Sequence, residues 1–408
     1  MWKPLKKIYL DYAASTPVDL SVQKAMLPYL ANVYGNPESV HLFGQDAMKA
    51  VDIARKNIAH TIGANFRDVI FTGSATESNN LAIRGVLKTA KQFNISTPRL
   101  IISAIEHDSV LETARDLERD GIDVVYLPVD KSSIVNLYVL KKSLNRNTVL
   151  VSVIYVNNVT GAIQLIQKIG NIIHNFRKTQ DEKLLRVRYP IFHTDAVQAF
   201  QYHDCNVNRL GVDMMTLSAH KLYGPKGVGV LYCKNPNANS FILKPIITGG
   251  GQEFGLRSST HNVPAIVGCA EAFRKTHKLR DSVNKKILNL RLYFINKSKK
   301  ISPQCEIHEA QHQSPGIISV YIPELPKSAV VKLSDFGVAV SAGSACSSHS
   351  PLSSRVLRVM GVSEEKASAS IRISLGKYTT RKEIDDTITI LRKVMGKTSL
   401  IKHYDKIW

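Results

Sequence analysis

Residues 212–221 read VDMMTLSAHK, and residues 222–229 continue as LYGPKGVG. The mostly apolar first stretch has the length and composition of a buried β-strand, whereas the glycine- and proline-rich second stretch is typical of a turn. This order presents the amine of Lys221 at the end of a strand, beside polar side chains. Because open α/β sheets bind their ligands at strand ends, we expect Lys221 to lie in a ligand site of such a sheet.

Apolar runs alternate with amphipathic stretches from about residue 50 to residue 235, which is the βαβ rhythm of a parallel sheet. Apolar residues at helical spacing predict a helix over residues 45–62. The predicted strands of this sheet are 68–72, 99–105, 123–127, 149–156, 191–195 and 212–217.

The pattern changes after residue 260. A helical stretch extends to about residue 296, short strands follow near 317–322 and 371–375, and an amphipathic helix covers 381–395. We therefore predict a large α/β domain over residues 15–260 and a smaller α+β domain over residues 261–408. The N-terminal arm, residues 1–14, is expected to pack on the smaller domain.

The composition is that of a soluble globular enzyme, since 44% of the 408 residues are hydrophobic. The chain opens as MWKPLKKIYLD, without the apolar segment of a secretory signal. No apolar run approaches the roughly 20 residues that a membrane helix needs. The five cysteines are scattered and never spaced as C-x-x-C, which argues against a disulfide framework or a zinc knuckle. A reducing cytoplasm fits this composition best.

The net charge of +21 is large enough to favour anionic partners. The basic residues are nevertheless spread along the whole chain, and no motif interleaves them with aromatic residues as a single-strand binder would. A basic solvated surface therefore explains the charge better than direct nucleic-acid binding.

Polar residues also follow other predicted strands. Asp195 ends an apolar strand, where an unpaired carboxylate is costly to bury, so it needs a cationic partner unless it only caps the next helix. His107 follows the strand at 99–105, although a lone histidine is more often structural. The stretch FTGSATESNN, residues 71–80, leads from a strand into a helix. Such a helix start either binds phosphate, with help from the Thr76 hydroxyl, or is a plain N-cap.

Two further residues stand out near the C-terminal end. Cys346 lies in SAGSACSS, residues 341–348, where the small residues on both sides predict a mobile loop; an incidental buried thiol is the alternative. Arg372 lies in SIRISLG, residues 370–376, as a charge inside an apolar strand pattern. This position suits a structural salt bridge or a bidentate grip on a carboxylate.

Together these segments resemble the class V aminotransferase-like enzymes that use pyridoxal phosphate, and they match the cysteine desulfurases most closely. The resemblance runs from about Ile8 to Met395, with the motifs in the same order. It implies a fold-type I transferase with a mostly parallel seven-stranded sheet in the large domain. The loop around Cys346 resembles the longer catalytic loop of the iron-sulfur-cluster and nitrogen-fixation desulfurases.

The resemblance implies a role for each motif residue. Lys221 would bind pyridoxal phosphate covalently, and Asp195 would pair with the nitrogen of its ring. His107 would stack on the ring and help to move protons. Gln198 would donate to the phenolic oxygen of the ring, and Asn158 would lie near the same oxygen. Contacts to the phosphate are implied for Ala75, Thr76, Ser218, His220 and, from the partner subunit of a homodimer, Thr260.

The implied reaction is the removal of sulfur from L-cysteine. Arg372 and Asn158 would bind the substrate, and the Cys346 thiolate would take the sulfur as a persulfide, leaving L-alanine. The persulfide would pass to an acceptor protein for iron-sulfur cluster assembly or for thiolation of tRNA or cofactors. No intrinsic metal is implied, although an acceptor cluster could transiently share Cys346.

Some positions depart from the family pattern. Phe254 replaces an arginine, Ser259 replaces a glycine, Val159 and Thr160 replace an acidic and aliphatic pair, and Gly73-Ser74 inverts a serine-glycine order. None of these removes a group that the cofactor chemistry needs, but Phe254 deletes a cation near the implied dimer interface.

Two alternatives stay open from the sequence. A selenocysteine lyase or a related pyridoxal-phosphate lyase would use the same early chemistry, although Cys346 on its loop favours desulfuration. The other is a weakly active basic partner in a sulfur-transfer complex, against which the intact set of motif residues counts.

Overall fold

The computed structural model describes residues 7–92, 95, 97–180, 189–236, 243–342 and 354–396. Its strands are β1 (Ile8–Tyr9), β2 (Val69–Thr72), β3 (Arg99–Ser103), β4 (Asp123–Leu127), β5 (Thr148–Ser152), β6 (Ile191–Asp195), β7 (Met214–Ser218), β8 (Gly229–Cys233), β9 (Glu306–Ile307), β10 (Ile317–Tyr321), β11 (Val338–Ala339) and β12 (Ser370–Ser374).

The helices of the described chain begin with α1 (Leu20–Met26), α2 (Pro28–Ala31), α3 (Leu42–Ile62), α4 (Ala75–Gln92), α5 (Asp108–Arg119), α6 (Leu137–Ser143), α7 (Ile166–Lys178) and α8 (Val207–Leu210). They continue with α9 (Val263–Ile301), α10 (Ala329–Asp335), α11 (Arg355–Val359), α12 (Glu364–Ala369) and α13 (Arg381–Val394). Short 3₁₀ helices cover Phe66–Asp68, Ala219–Lys221 and Glu253–Gly255. No helix in the described part of the chain has the length and apolarity needed to cross a bilayer.

The chain divides into two compact units. The larger unit comprises Ser15–Asn157 and Ala162–Arg280, and the smaller one comprises the described residues of Met1–Ala14, Asn158–Gly161 and Asp281–Trp408. The division falls within α9 rather than after residue 260, because the change in sequence pattern marks where this long helix starts and not where the larger unit ends.

The larger unit is built on one seven-stranded sheet, with strand order β2-β8-β7-β6-β5-β3-β4. Strand β8 runs antiparallel to both of its neighbours, and the other pairs are parallel. The fold is therefore α/β with a mostly parallel central sheet, as predicted.

Both faces of this sheet are buried. Alternate residues of a strand point to opposite faces, so Val69 and Phe71 join one core while Ile70 joins the other. The first core contains residues of α3, α7 and α9, and the second contains residues of α4 and α5. Burial on both faces explains why the strands read as continuous apolar runs and not as an alternating pattern.

The smaller unit contains an antiparallel sheet with strand order β12-β10-β9. Strand β1, from the N-terminal arm, pairs in parallel with β11. Helix α13 starts at a capping box in which Thr380 accepts from the backbone of Glu383, and the Glu383 carboxylate accepts in return. These elements agree with the predicted strands near 317–322 and 371–375 and with the predicted helix over 381–395.

Candidate active site

The lysine segment has the strand-to-turn geometry that its sequence predicts. Strand β7 ends at Ser218, and the 3₁₀ helix Ala219–Lys221 follows at once. Tyr223 closes the turn with a φ of +62°, a left-handed conformation that is uncommon for a residue with a side chain. Lys221 therefore lies at the end of a central strand of the sheet.

Thr16 holds this turn in place. Its backbone N–H and its hydroxyl both donate to the carbonyl of His220, at 3.0 and 2.8 Å, and its Oγ1 accepts from Tyr223 N–H at 2.8 Å. The side chain is 7% exposed, so these bonds form out of contact with bulk water. The sequence analysis missed Thr16, because it lies some 200 residues from the segment that it supports.

His220 is kept neutral by its surroundings. Burial lowers the pKa of His220 to about 4, and the positive charges of Lys221 and Lys226 act in the same direction. Cationic neighbours that disfavour a charged imidazole favour an anion near it. This electrostatic environment suits the predicted contact between His220 and a phosphate.

Asp195 ends β6 as a buried carboxylate, 4% exposed. Its Oδ1 accepts from Val197 N–H at 3.0 Å and its Oδ2 accepts from Asn79 Nδ2 at 2.8 Å. Both donors are neutral, and no lysine, arginine or histidine among the described residues forms an ion pair with it. A buried carboxylate without a cation is costly, so this position fits the protonated ring nitrogen of a pyridine cofactor.

His107 is tied to Asp195 through two intermediate side chains. Its Nδ1 accepts from Ser109 N–H at 3.1 Å and so caps α5, and the Ser109 hydroxyl lies 2.8 Å from the same nitrogen. Asn79 Nδ2 donates to Ser109 Oγ at 2.8 Å as well as to Asp195. The predicted ring-stacking histidine and the predicted ring-pairing aspartate thus belong to one hydrogen-bonded chain.

A buried histidine supports the strands beneath Asp195. His193 is fully buried on β6, with Nδ1 2.9 Å from Ser152 Oγ on β5 and Nε2 3.0 Å from Thr216 Oγ1 on β7. Burial lowers the pKa of His193 to about 3, so the ring is neutral and can donate from one nitrogen only. A polar residue inside the apolar strand IFHTD was the available signal for this contact, and the sequence analysis did not use it.

The predicted phosphate-binding residues lie at the start of α4. Helix α4 begins at Ala75, and Thr76 and the neighbouring Ser74 are exposed there. Gly229, which pairs with Ser218 on β7, lies so close to the Ser74 backbone that a Cβ would approach its carbonyl carbon to 2.4 Å. This contact brings the loop before α4 next to the strand pair that carries Ser218.

One backbone N–H of the loop before α4 already has a hydrogen-bond acceptor within the protein. Gly73 N–H donates to Glu77 Oε2 at 2.8 Å, and the Glu77 carboxylate pairs with Arg257 at 2.7 Å. The pair links α4 to the glycine-rich segment, residues 249–260. The chemistry of the remaining groups, a helix start with hydroxyl side chains and the neutral His220, fits a phosphate.

The glycine-rich segment is anchored by a buried carboxylate. Glu253 accepts two hydrogen bonds from Arg55, each 2.7 Å long, and lies 2.7 Å from Nε2 of His261. Burial alone would raise the pKa of Glu253, but the hydrogen bonds from Arg55 and His261 outweigh it and lower the pKa below its ordinary value. Thr260, next to His261, is exposed.

Phe254 takes part in this anchor. Its ring centroid lies 4.9 Å from the Arg55 guanidinium, which also lies 4.8 Å from Phe71 and 5.5 Å from Phe66. Phe254 therefore completes an aromatic enclosure around the buried cation of Arg55. Ser259, which was also expected to depart from the family pattern, is exposed.

Arg372 and Asn158 lie together in the smaller unit. Arg372 is 1% exposed; it donates to the carbonyl of Asn158 at 2.9 Å, to Asp11 at 2.8 Å and to Ser341 Oγ at 3.1 Å. The salt bridge that the sequence left open is therefore present. Nε of Arg372 is buried and has no hydrogen-bond partner among the described residues.

The remaining predicted residues are Gln198 and Cys346. Gln198 is half-buried in the turn after Asp195. Cys346 lies outside the described residues. The other four cysteines are buried, and burial raises the pKa of each; for Cys205 the value is about 12. These four thiols are protonated at neutral pH and are poor nucleophiles.

The described residues hold no group of three or more histidine, cysteine, aspartate or glutamate side chains placed to bind a metal ion.

Asn79 is a further residue that the sequence analysis did not single out. It precedes the apolar stripe of α4 at helical spacing, and a polar residue at such a position was a usable signal.

Comparisons with known proteins agree along nearly the whole chain. The family model Aminotransferase class-V matches residues 8–387. A protein of Dictyoglomus turgidum named Cysteine desulfurase IscS is 38% identical over 408 residues, covering 99% of this chain and 98% of that protein. A solved structure described as a NifS-like protein has a TM-score of 0.86 and 33% identity, covering 96% of this chain and 100% of the other. Another, described as SspA in complex with cysteine, has a TM-score of 0.74 and 33% identity, covering 92% and 100%.

Proposed function

The chain belongs to the class-V aminotransferase family and is a pyridoxal-phosphate-dependent cysteine desulfurase, and we propose that Lys221, His107 and Cys346 are its catalytic residues. The observation that carries this assignment is the buried carboxylate of Asp195, which has neutral donors on both oxygens and no cationic partner among the described residues. It lies on β6, and Lys221 follows β7, the adjacent strand.

Different residues of the chain are proposed to hold different parts of the cofactor. Asp195 would pair with the ring nitrogen, His107 would stack on the ring, and Gln198 would donate to the phenolic oxygen, with Asn158 near the same oxygen. The phosphate would be held by Ala75, Thr76, Ser218 and His220, together with Thr260 of the partner subunit. When bound, pyridoxal phosphate supplies an electron sink for the bonding electrons at the α-carbon of the substrate.

Lys221 has two tasks in this proposal. Its Nζ is the point of covalent attachment for the cofactor, and it is the base that moves the proton at the α-carbon of L-cysteine. His107 assists by holding a proton near the reacting atoms. Thr16 supports both tasks, because its hydrogen bonds to His220 and Tyr223 fix the turn that contains Lys221.

Cys346 receives the sulfur. Its thiolate attacks the sulfur of bound cysteine, the sulfur–carbon bond breaks, and the electron pair of that bond stays with the carbon fragment, which is released as L-alanine after protonation. The bond that forms joins the substrate sulfur to Cys346 Sγ as a persulfide. The four buried cysteines do not compete for this role, because their pKa values are raised.

Substrate binding is assigned to Arg372 and Asn158. Guanidinium groups hold carboxylates through charge-assisted hydrogen bonds, and Nε of Arg372 is buried without a hydrogen-bond partner among the described residues. We propose that Arg372 binds the α-carboxylate of L-cysteine. Asp11 holds the guanidinium in position through its hydrogen bond.

The active form is proposed to be a homodimer. An unusual set of apolar side chains is exposed near the start of the larger unit, and isolated monomers rarely leave so many uncovered. Their exposed fractions are Leu20 71%, Leu27 60%, Leu30 62%, Tyr34 70%, Val40 89%, Leu42 75% and Phe43 56%. We propose that a second copy covers this surface and that, in the same dimer, Thr260 of the partner subunit reaches the neighbouring site.

The persulfide is proposed to pass to a sulfur-acceptor protein in the cytoplasm, for iron-sulfur cluster assembly or for thiolation of tRNA or cofactors. The wide distribution of basic residues gives an acidic acceptor a favourable encounter surface.

The proposal is tested on purified protein by its absorption spectrum and by assaying alanine and sulfide from L-cysteine with reductant. We expect lysine-bound cofactor in the wild type, no lysine-bound cofactor and no alanine or sulfide in Lys221→Ala, and no alanine or sulfide from Cys346→Ser. Cys305→Ser is the matched control and should remain active. Equal turnover without Cys346 would indicate a lyase instead, and a protein without cofactor or activity would contradict the enzyme assignment.

A further inference from the structure

The side chains of Asp195, Asn79, Ser109 and His107 form a continuous chain of hydrogen bonds, each 2.8 Å long. Asn79 is fully buried on α4, and its amide nitrogen donates to both Asp195 Oδ2 and Ser109 Oγ. Ser109 also donates its backbone N–H to His107 Nδ1. The chain connects the end of β6 to the start of α5 through one side chain of α4.

The order of donors and acceptors in this chain is fixed by chemistry. An ionised carboxylate only accepts, so Asn79 must turn its nitrogen toward Asp195. The same nitrogen then donates its second hydrogen to Ser109 Oγ, which leaves the hydroxyl hydrogen for His107 Nδ1. Because the Ser109 backbone N–H also points at Nδ1, that nitrogen receives two donors and carries no proton of its own.

An unpartnered oxygen supports this orientation of the amide. Oδ1 of Asn79 is buried and has no hydrogen-bond partner among the described residues. A buried acceptor without a donor destabilises the folded state. Turning the amide over would place its oxygen against the carboxylate of Asp195, so the structure keeps the orphaned oxygen and directs both hydrogens of Nδ2 to acceptors.

We propose that Asn79 is a positioning residue that joins Asp195 and His107 into one unit, in which the ionised carboxylate makes Nδ1 of His107 an acceptor and leaves the ring proton on Nε2. The two groups assigned to the cofactor ring are thereby set together: Asp195 is held for the ring nitrogen, and His107 presents an N–H from Nε2. The catalytic meaning of this unit rests on the function proposed above, whereas its hydrogen-bond order does not.

The test uses full-length protein loaded with pyridoxal phosphate and labelled with ¹⁵N in its histidine rings. Long-range ¹H–¹⁵N correlation spectra distinguish a protonated from an unprotonated ring nitrogen, and His107→Gln identifies the signals of His107 by their loss. The expected wild-type spectrum shows an unprotonated Nδ1 and a protonated Nε2. A protonated Nδ1 in the neutral ring would overturn the proposal.

Three variants then break the chain at different points. Ser109→Ala should shift the His107 ring signals and leave the dissociation constant of pyridoxal phosphate within about twofold, because Asn79 still holds Asp195. Asn79→Ala should shift the same signals and weaken cofactor binding at least about tenfold, the equivalent of one lost charge-assisted hydrogen bond. Asp195→Asn should also shift the His107 signals, because Asn79 can then turn over and Ser109 loses its donor.

Asn80→Ala is the matched control. Asn80 is the next residue of α4, and its side chain bonds to Thr76, Arg84 and Thr113 but not to this chain. It should leave both the His107 signals and the cofactor affinity unchanged, and melting temperatures show whether each variant folds. If Asn79→Ala and Asp195→Asn perturb His107 no more than Asn80→Ala does, the proposed unit does not exist. Failure of cysteine turnover with the expected His107 spectra would instead contradict the proposed function alone.

Discussion

Arg55 on α3 and Glu253 in the glycine-rich segment form a bidentate ion pair in which both side chains are buried, with relative exposures of 3% and 4%. The carboxylate also accepts from Phe71 N–H at 2.8 Å, and Arg55 donates to the carbonyl of Val69. A single pair therefore ties β2, α3 and residues 249–260 together. This arrangement anchors the glycine-rich segment at Glu253, seven residues before Thr260.

Arg55→Ala should be among the most destabilising single changes in the larger unit. Removing Arg55 leaves the Glu253 carboxylate buried with only His261 and Phe71 N–H as partners, and breaking a buried ion pair in this way costs about 3–5 kcal/mol in the free energy of unfolding. Urea unfolding followed by circular dichroism measures this loss. Arg115→Ala is the control, because the Arg115–Glu112 pair is half exposed and should contribute less than about 1 kcal/mol. Equal losses in both variants would contradict the prediction.

Phe254→Leu tests the aromatic enclosure of Arg55. The substitution keeps most of the apolar volume but removes the ring whose centroid lies 4.9 Å from the guanidinium. We expect the free energy of unfolding to fall by about 0.5–2 kcal/mol. Phe254→Tyr retains the ring face and should stay within about 0.5 kcal/mol of the wild type. If leucine and tyrosine behave alike in urea unfolding, the ring makes no specific contribution.

The strands of the sheet could be predicted because burial on both faces makes each strand a continuous apolar run in the sequence. Six apolar runs were predicted as strands, and β2 to β7 lie at those positions. Two of the runs were predicted to extend to residues 105 and 156, whereas β3 ends at Ser103 and β5 at Ser152. Residues such as Ile105 and Val156 stay fully buried in the loops that follow, so hydrophobicity alone does not mark where the ladder ends.

The positions of the candidate site residues in the fold could be predicted where these residues follow strands, whereas the residues that support them from distant segments were missed. Lys221, Asp195 and His107 stand at strand or helix ends in both the sequence pattern and the structure. Thr16 and Asn79 act through contacts over 204 and 116 residues, and no local pattern encodes those partners, although the position of Asn79 ahead of the apolar stripe of α4 was a usable signal. Phe254 was identified as a departure from the family, but its packing on Arg55 depends on tertiary structure.

Thr16→Val should loosen the turn that contains Lys221. Valine keeps the shape of threonine but leaves the buried N–H of Tyr223 without its acceptor, a cost of roughly 1–3 kcal/mol in unfolding free energy. We also expect a smaller fraction of lysine-bound cofactor, measured by absorbance after dialysis against limiting pyridoxal phosphate. Thr16→Ser retains the hydroxyl and should restore both properties. A serine variant as impaired as the valine variant would show that the methyl group, not the hydrogen bonds, matters.

His193 should make stability fall in mild acid. Its folded pKa is about 3, below the roughly 6.5 of an unfolded histidine, so between these values the unfolded chain binds a proton that the folded chain does not. Stability is therefore lost as the pH falls from about 6.5, by up to about 1.4 kcal/mol per pH unit from this group. His203 and His220, whose pKa values are both lowered to about 4 chiefly by burial, act with the same sign.

His193→Gln removes a ring that binds a proton in the unfolded chain but not in the folded one. Between about pH 4 and 6, the slope of unfolding free energy against pH should therefore fall by up to about 1.4 kcal/mol per pH unit. Thr216→Val is the control, because it deletes a hydrogen-bond partner of the ring but keeps the histidine, and so lowers stability without reducing the slope. An unchanged slope in His193→Gln would mean that the ring is not kept neutral by burial.

Arg372→Lys separates the structural from the substrate-binding role of this residue. The planar guanidinium of Arg372 donates hydrogen bonds to Asn158, Asp11 and Ser341. A lysine ammonium cannot make all of these bonds and also bind a carboxylate. If Arg372 binds the α-carboxylate of L-cysteine, the KM for L-cysteine should rise about 10- to 100-fold, the equivalent of one charge-assisted hydrogen bond. Ser341→Ala removes a neighbour of the guanidinium but not the fork itself, so its KM should stay within about threefold. A purely structural arginine would give a different result: the melting temperature of Arg372→Lys would fall while its KM matched that of Ser341→Ala, and the carboxylate would then have to be bound elsewhere.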